Sequence, residues 1–314
     1  MATEYAIGVD IGGTKIAAGV VDAEGHILAR LRRDTDARQP RAIEDAVVAV
    51  VEELQAEYDV AAVGVAAAGF VSDDRSTVLF APNIAWRDYP LRDRLSSRLA
   101  PPVVVENDAN AAGWAEYRFG AGRGIADMAM ITVGTGLGGA IVVGSQLLRG
   151  AHGVAAEIGH IRVVPDGRPC GCGHRGCWEQ YASGNALTRQ ARAAAAAEPG
   201  RASALLALAG EAAAIKGQHV TEAAKAGDRL AIDLLAELGT WLGLGTASLV
   251  AVLDPARIVV GGGAASARRL LTEPMQAAFE GALAARGHRP EPAISVAEMQ
   301  NDAGLVGAAD LART

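Results

Sequence analysis

One layout of secondary structure is predicted twice in this chain of 314 residues: a short strand, a glycine-rich turn and a second strand. Near the N-terminus, apolar residues 5–10 precede Gly12-Gly13-Thr14-Lys15, and Ile16–Val21 follows. Residues 128–143 repeat the pattern around Gly134-Thr135-Gly136-Leu137-Gly138. Because short β-branched runs bounded by glycine favour strands, we expect an internally duplicated chain in which each half opens with a strand pair.

The remaining segments alternate between helical and strand patterns, which favours an α/β architecture. Helical spacing of apolar residues is found at 42–57, 91–99, 109–119, 230–253, 265–285 and 303–312, and short strand-like runs at 61–66, 103–106, 257–260 and 294–298. The last helix is expected to return the chain to its first half. The predicted division is a small N-terminal α/β domain of residues 1–118 plus 300–314 and a large α/β domain of residues 119–299.

Charge and composition exclude some classes of partner. The 29 basic and 36 acidic side chains give a net charge of −7, without a long run of either sign, which argues against binding to nucleic acid or to an anionic membrane. The N-terminus has no basic segment followed by an apolar one, and no unbroken apolar run approaches 18 residues. We therefore expect a cytoplasmic protein.

The first glycine turn carries groups that suit a nucleotide phosphate. Glycines let backbone N–H groups approach phosphate oxygens, Thr14 and Lys15 add donors, and Asp10 can hold hydrated magnesium. The spacing is not that of a P-loop, and the Rossmann fingerprint needs a helix where this sequence continues as a strand. A plain hairpin is the alternative for any single turn. Two further glycine turns are present, Gly134-Thr135-Gly136 and Gly261-Gly262-Gly263. The three turns together favour a single nucleotide site over separate plain hairpins.

The cysteines form a cluster with the spacing of metal ligands. Cys170, Cys172 and Cys177 lie within eight residues, and His160 precedes the first by ten positions. Three thiolates and one imidazole make a closed tetrahedral zinc site. Disulfide bonding is the alternative, but it leaves one thiol over. His174 is a competing imidazole within the loop.

Asn107 and Asp108 lie at a predicted junction between a strand and a helix. A carboxylate at such a position can accept the proton of an attacking hydroxyl during phosphoryl transfer, a reaction that needs little covalent chemistry from the protein. Asn and Asp are also common at helix N-termini, so capping is the alternative role.

Six motifs occur in order along nearly the whole chain: DIGGTK at 10–15, VENDANAA at 105–112, TVGTGLGGAIV at 132–142, EIGHI at 157–161, CGCGHRGCWEQYASG at 170–184 and VVGGG at 259–263. With them the sequence resembles the actin-like ATPase superfamily that includes sugar kinases, and more narrowly the ROK family (repressors, open reading frames, kinases). The resemblance implies an α/β, two-lobe actin-like (ribonuclease H-like) ATPase fold with a cleft between the lobes, and ATP-dependent phosphorylation of a sugar.

The resemblance also implies residue roles: Asp108 is the catalytic base, and His160, not His174, is the zinc ligand. The sugar-binding residues expected are Gly69, Asn107, Asp108, Glu157, His160 and Glu179. Those expected to bind ATP and its phosphates are Gly12, Gly13, Thr14, Lys15, Gly134, Thr135, Gly136, Gly261, Gly262 and Gly263. The expected cofactors are ATP with Mg²⁺ as co-substrate, the magnesium on Asp10, and a structural Zn²⁺ on His160, Cys170, Cys172 and Cys177.

The segment CWEQYASG at 177–184 is most like the version in family members that phosphorylate glucose. We therefore expect transfer of the γ-phosphate of ATP to the 6-hydroxyl of glucose, giving glucose 6-phosphate and ADP. The rivals within this class are phosphorylation of fructose, mannose, N-acetylglucosamine or N-acetylmannosamine, and use of polyphosphate as the donor. The resemblance suggests a homodimer or homotetramer.

Two other classes are weighed against a kinase. A sugar-responsive ROK transcriptional regulator carries an N-terminal helix-turn-helix, whereas the first motif here begins at Asp10 and leaves no room for one in this sequence. A noncatalytic sugar-binding protein is expected to have a damaged phosphate or base motif, and these motifs are intact.

Overall fold

The computed structural model describes residues 5–13 and 15–314, so the predicted phosphate ligand Thr14 lies outside the described residues. Within this part of the chain the strands are β1 (Ala6–Ile11), β2 (Lys15–Val21), β3 (Ile27–Asp34), β4 (Ala62–Ala67), β5 (Phe70–Val71), β6 (Val78–Phe80), β7 (Arg87–Tyr89), β8 (Val103–Asn107), β9 (Met128–Val133), β10 (Leu137–Val143), β11 (Gln146–Leu147), β12 (Arg257–Gly261) and β13 (Ala293–Val296). The helices are α1 (Pro40–Gln55), α2 (Leu91–Ser96), α3 (Asp108–Phe119), α4 (Gly184–Ala197), α5 (Ser203–Ala209), α6 (Gly217–Lys225), α7 (Arg229–Leu253), α8 (Arg269–Ala282) and α9 (Ala303–Ala312).

The chain divides into two compact units. The first comprises the residues up to Ala126, Ala140–Ala156 and the residues from Glu298, and the second comprises Asp127–Gly139 and Glu157–Ala297. The domain bounds predicted from the sequence remain a prediction.

The first unit is built on a five-stranded sheet with the order β3-β2-β1-β4-β8. Strand β1 is antiparallel to β2 and parallel to β4, which is in turn parallel to β8. The register pairs Asp10 with Ala66, and Ala66 with Glu106. The carboxyl ends of the three parallel strands therefore meet at one edge of the sheet, where α/β proteins commonly bind ligands.

Helices cover both faces of this sheet, and the alternation of side chains along β1 explains how. Ile7 and Val9 point to one face and share a core with Ile43 and Val47 of α1. Gly8 points to the other face, where a Cβ would lie 1.9 Å from the carbonyl oxygen of Leu305. Helix α9 thus packs directly against the backbone of the sheet.

The other five-stranded sheet has the order β11-β10-β9-β12-β13. Strands β9, β12 and β13 are parallel, and Gly261 at the end of β12 pairs with Thr132. This pairing brings the glycine turn after β12 beside the end of β9, where the turn Gly134-Thr135-Gly136 begins.

Helix α7 is the one helix among the described residues that is long and apolar enough, by length and composition, to cross a membrane. More than half of its most apolar window is buried. Its Gly239 and Gly243 lie against the backbone of α8, where a Cβ would approach the carbonyl oxygens of Leu271 and Met275 to 2.6 and 2.3 Å. This burial is typical of a core helix.

The longer predicted elements are found within a few residues of their expected bounds, and two regions differ. The small sheet β5-β6-β7 and the helices α5 and α6 were not predicted, because they are too short to show a clear periodicity. The helix predicted at 265–285 is a 3-10 segment, Gly263–Ala267, followed by α8. Arg268, with φ of +49°, separates the 3-10 segment from α8.

Candidate active site and metal centre

Asn107 and Asp108 lie where β8 ends and α3 begins, as predicted. The side-chain oxygen of Asn107 accepts a hydrogen bond of 2.9 Å from the backbone N–H of Asn110, and its Nδ2 donates to the carbonyl oxygen of Gly69 at 3.0 Å. Asn107 is therefore the N-cap of α3 and brings Gly69 to the junction. Asp108, the first residue of the helix, does not have the capping role.

The environment of Asp108 changes its acidity. Its Oδ1 accepts hydrogen bonds from the N–H of Ala109 at 2.9 Å and from Nδ2 of Asn107 at 3.3 Å. Burial nevertheless raises the pKa of Asp108 to about 6. At neutral pH most molecules carry the carboxylate form, and a carboxylate with this pKa is a better proton acceptor than an ordinary aspartate.

Asp10, near the end of β1, has the same kind of shift. Burial, and then the negative charge of Asp108, raise the pKa of Asp10 to about 6. The start of α9 comes close to this carboxylate, since a Cβ on Gly304 would lie 3.0 Å from Oδ2 of Asp10. Two aspartates whose charges disfavour each other are typical of a site that binds a cation or a proton.

The first glycine turn is a tight connection between β1 and β2. The N–H of Gly12 donates to the carbonyl oxygen of Lys15 at 2.9 Å, whereas a Cβ on Gly13 would meet nothing within 4 Å. Lys15 is exposed at the start of β2. The turn thus keeps Gly13 and Lys15 open to a ligand.

The second glycine turn borders a cavity in the second unit with a volume of about 560 Å³. Gly134, Thr135 and Gly263 line it, so three of the predicted ATP-binding residues come together. Gly262, with φ of +83°, turns the chain beside them, where a Cβ would lie 2.5 Å from the carbonyl oxygen of Val133. The volume lies in the range of small-molecule sites.

The rest of this cavity comes from two helices to which the sequence assigned no functional role: α4, whose later part was expected as a surface helix, and α6, which was not predicted. Asn185 and Thr188 of α4 and Gln218, Glu222 and Lys225 of α6 contribute polar groups. Helix α6 has nine residues, which is too short for its apolar periodicity to be recognised in the sequence.

The four predicted metal ligands come together. The ligand atoms of His160, Cys170, Cys172 and Cys177 all lie within 4.8 Å of one another. Sγ of Cys170 is 3.7 Å from Nδ1 of His160, and Sγ of Cys172 is 3.6 Å from Sγ of Cys177. Ligands of a tetrahedral zinc ion with bonds of about 2.3 Å lie about 3.8 Å apart, so the residues present fit zinc.

The alternatives for the cysteine loop do not match this geometry. All three thiols are free, and the 3.6 Å separation of Cys172 and Cys177 far exceeds a disulfide bond length of about 2 Å. His174 is not part of the ligand group. Its carbonyl oxygen instead accepts the N–H of Cys170 at 2.8 Å, which closes the loop.

Glu179 lies between the metal ligands and the second glycine turn. Its Oε1 is 3.0 Å from Sγ of Cys170 and 4.0 Å from Nδ1 of His160. Its Oε2 occupies the space beside Gly136, where a Cβ would approach that oxygen to 2.8 Å. Two short 3-10 segments position these groups: Ile158–His160, which follows Glu157, and Trp178–Gln180.

The cysteine loop, Cys170–Cys177, is also joined to the second glycine turn by backbone hydrogen bonds from the start of the helix that follows it, α4. The N–H groups of Gly184 and Asn185, at the start of α4, donate to the carbonyl oxygens of Gly134 and Thr135 at 2.8 and 3.1 Å. The predicted zinc and phosphate motifs of this unit are therefore one connected structure.

The sequence is similar to known proteins along almost its full length. The ROK family profile matches residues 6–314. A glucokinase of Streptomyces coelicolor is 52% identical over 308 residues, covering 98% of this chain and 97% of the relative. An N-acetylmannosamine kinase of Escherichia coli is 36% identical over 309 residues, covering 98% of both chains.

The fold is similar to a solved structure of the same family. The crystal structure of a ROK family glucokinase from Streptomyces griseus, in complex with glucose and AMPPNP, has a TM-score of 0.92 and 53% identity, covering 98% of this chain and 99% of that chain. The family match, the level of identity and the shared α/β fold agree with the motifs read from the sequence. The chain belongs to the ROK family.

Proposed function

We propose that this chain is an ATP-dependent glucokinase, which transfers the γ-phosphate of ATP to the 6-hydroxyl of glucose. The observation that carries the proposal is the similarity over almost the full length to ROK glucokinases, one of them solved with glucose and an ATP analogue. The motif residues proposed below for the chemistry are all present in the sequence of this chain.

Asp108 is proposed as the catalytic base. Asn107 fixes the first turn of α3, which leaves the Asp108 carboxylate to accept the proton of the attacking 6-hydroxyl. Its raised pKa, about 6, lies close enough to neutrality for proton transfer and low enough for the carboxylate to predominate. Gly69 and Asn107 are proposed to contact the sugar from the same junction.

The phosphates of ATP are proposed to lie on the glycine turns. Gly12, Gly13, Thr14 and Lys15 are the proposed contacts in the first unit, and Gly134–Gly136 and Gly261–Gly263 in the second. A magnesium ion held near Asp10 would neutralise phosphate charge. The cavity beside Thr135 and Gly263 has the volume and the polar lining for the nucleoside part of ATP.

Zinc is proposed as a structural ion held by His160, Cys170, Cys172 and Cys177. All four positions are filled by protein ligands, so no position is left for an activated water. His160 faces Cys170 through Nδ1, which leaves Nε2 to donate to a sugar hydroxyl. Glu157 and Glu179, on either side of this ligand set, are the proposed acceptors for further hydroxyls.

A second candidate is phosphorylation of another hexose. The similarity to an N-acetylmannosamine kinase, at 36% identity, is the observation that favours it. The higher identity to the Streptomyces glucokinases makes glucose the first choice. A cytoplasmic location, a homodimer or homotetramer, and the domain bounds 1–118 with 300–314 and 119–299 are proposed along with this function.

The test is an assay of ADP release with a panel of hexoses, using ATP and polyphosphate in turn as the donor. We expect glucose with ATP to give the highest kcat/KM. Glucose turnover no better than the background without sugar contradicts the proposal. A kcat/KM for N-acetylmannosamine higher than that for glucose favours the second candidate, phosphorylation of another hexose.

A further inference from the structure

Glu106 is a buried carboxylate directly before the junction that carries Asn107 and Asp108, and none of the roles given above includes it. It is 3% exposed. Its Oε1 accepts hydrogen bonds from the backbone N–H of Asn107 at 3.1 Å and from Nδ2 of Asn110 at 3.0 Å. The carboxylate therefore holds the last peptide of β8 and the first turn of α3 together.

Two arginines fix the other oxygen of Glu106. Nε and Nη2 of Arg149 both lie 2.8 Å from Oε2, so two guanidinium N–H groups converge on this one oxygen, and Nε of Arg75 lies 3.6 Å from the same atom. Arg149 comes from the segment after β11, and Arg75 from the turn between β5 and β6. Glu106 thus joins the junction to two further segments of the first unit.

Arg75 is itself held firmly. Its carbonyl oxygen accepts the N–H of Val105 in β8 at 3.1 Å, and its Nη2 donates to the carbonyl oxygen of Leu311 in α9 at 2.9 Å. It has a φ of +60°, a conformation that non-glycine residues adopt only when the surroundings fix it. The two partly buried arginines therefore hold the buried Glu106 carboxylate in place beside the junction.

We propose that Glu106, held by Arg149 and Arg75, is a positioning residue that fixes the orientation of the Asp108 carboxylate for proton transfer. The inference rests on the proposed kinase function. Glu106 binds the backbone N–H of Asn107, and Asp108 is the next residue. A rotation of the peptide that carries this N–H therefore displaces the Asp108 carboxylate. A displacement of about 1 Å in a catalytic group can cost about 100-fold in rate.

A second buried carboxylate, Asp310, provides a matched control for the loss of stability that follows when such a network is removed. Asp310 is also a 3% exposed carboxylate held by two arginines, Arg118 and Arg313, at 3.0 Å each. It also accepts the indole N–H of Trp114 at 2.7 Å. Like Glu106 it contacts α3, but in the later part of the helix, away from Asp108.

The test compares Glu106→Gln with Asp310→Asn. Glutamine can keep the contacts of Oε1, but its amide N–H groups oppose those of Arg149, so the support is lost with little change of shape. We expect kcat per folded protein to fall about 10- to 100-fold in Glu106→Gln, with the KM for ATP within about twofold. Asp310→Asn should lose thermal stability to a similar extent and keep kcat within about twofold.

A double-mutant cycle separates positioning from a general loss of order. If Glu106 acts through Asp108, adding Glu106→Gln to an Asp108→Asn background should change the residual rate by less than about twofold. Equal losses in both backgrounds overturn the proposal, and so does a kcat in Glu106→Gln that stays within twofold of the wild type.

Arg149→Lys keeps the test decisive if Glu106→Gln does not fold. Lysine retains the charge and loses the paired N–H contacts with Oε2 of Glu106, so kcat should fall by an intermediate factor at unchanged folded fraction. An unchanged kcat in this variant also overturns the proposal. Every variant is compared with the wild type. If the wild type does not phosphorylate glucose, the proposed function fails, and this result is distinct from any effect of replacing Glu106.

Discussion

At the scale of single residues, burial changes the acid–base chemistry of Asp10 and Asp108 at the end of the first sheet. Both pKa values rise from 3.8 to about 6, chiefly through desolvation. The sequence predicted both residues as functional from their place in motifs. It could not predict the shifts, because these depend on the packing of α9 and α3 around the carboxylates.

The raised pKa of Asp108 leads to an expected pH profile. The base must be ionised, so kcat/KM for glucose should fall on the acid side with a midpoint near pH 6, as follows from the pKa of about 6 in the free enzyme. The measurement is kcat/KM between pH 4.5 and 8.5 at saturating magnesium. An acid limb with a midpoint near 4 contradicts the assignment of the base.

The raised pKa of Asp108 also affects the free energy of folding and its dependence on pH. A carboxyl group whose pKa is raised on folding stabilises the protein fully below its unfolded pKa, and this contribution is lost as pH rises through the folded pKa. The shift of Asp108 from 3.8 to about 6 thus disfavours folding at neutral pH by up to about 3 kcal/mol.

Asp108→Asn should therefore stabilise the ligand-free protein while it abolishes turnover. We expect a rise in the free energy of unfolding on the order of 1–3 kcal/mol at pH 7.5, and about half as much at pH 5. Urea unfolding at both pH values measures it. A variant that is less stable than the wild type at pH 7.5 is at odds with the burial of a charged carboxylate.

At the scale of elements, the glycine turns and the cysteine loop were the most predictable parts of the chain. Glycine turns and clustered cysteines are local signals, so their residues could be read from the sequence. The contact of Glu179 with Gly136 could not, because 43 positions separate them. It arises where the 3-10 segment around Glu179 packs on the turn after β9.

This contact makes Gly136→Ala informative. The added Cβ would lie 2.8 Å from Oε2 of Glu179 and displace that carboxylate. We expect the KM for glucose to rise several-fold, and the KM for ATP to rise as well because Gly136 is also a proposed phosphate contact. Gly281→Ala in α8, where a Cβ meets nothing within 4 Å, is the control and should leave both constants unchanged. An unaltered glucose KM in Gly136→Ala removes Glu179 from the proposed sugar contacts.

Removal of the metal should affect both substrates. The backbone hydrogen bonds from Gly184 and Asn185 join the cysteine loop to the turn that borders the proposed nucleotide cavity. We expect one zinc per chain by elemental analysis. Its loss on chelation or in Cys172→Ser should lower the melting temperature and weaken the binding of glucose and of an ATP analogue by about tenfold or more.

Nucleotide affinity that survives complete loss of zinc contradicts this link. Titration calorimetry of the metal-free protein, with the zinc-reconstituted protein as its control, distinguishes the two outcomes.

At the scale of the whole molecule, the family followed from motifs in a fixed order and the α/β class from the alternation of helical and strand patterns, and the comparisons confirm both. The long elements were predictable because their apolar periodicity is strong. The networks that hold the proposed catalytic residues were not, since Glu106 and Arg149 are 43 positions apart and meet only in the fold. Helix α6, which lines the proposed nucleotide cavity, is too short for its periodicity to be recognised in the sequence.

The central claim is that this chain phosphorylates glucose with Asp108 as the base. The most direct measurement follows the purified protein with glucose, ATP and magnesium by phosphorus NMR, beside Asp108→Ala at the same concentration. We expect glucose 6-phosphate and ADP to form in equal amounts with the wild type, and the Asp108→Ala rate to be lower by at least about 100-fold. The absence of glucose 6-phosphate with the folded wild type, or comparable turnover by Asp108→Ala, contradicts the account.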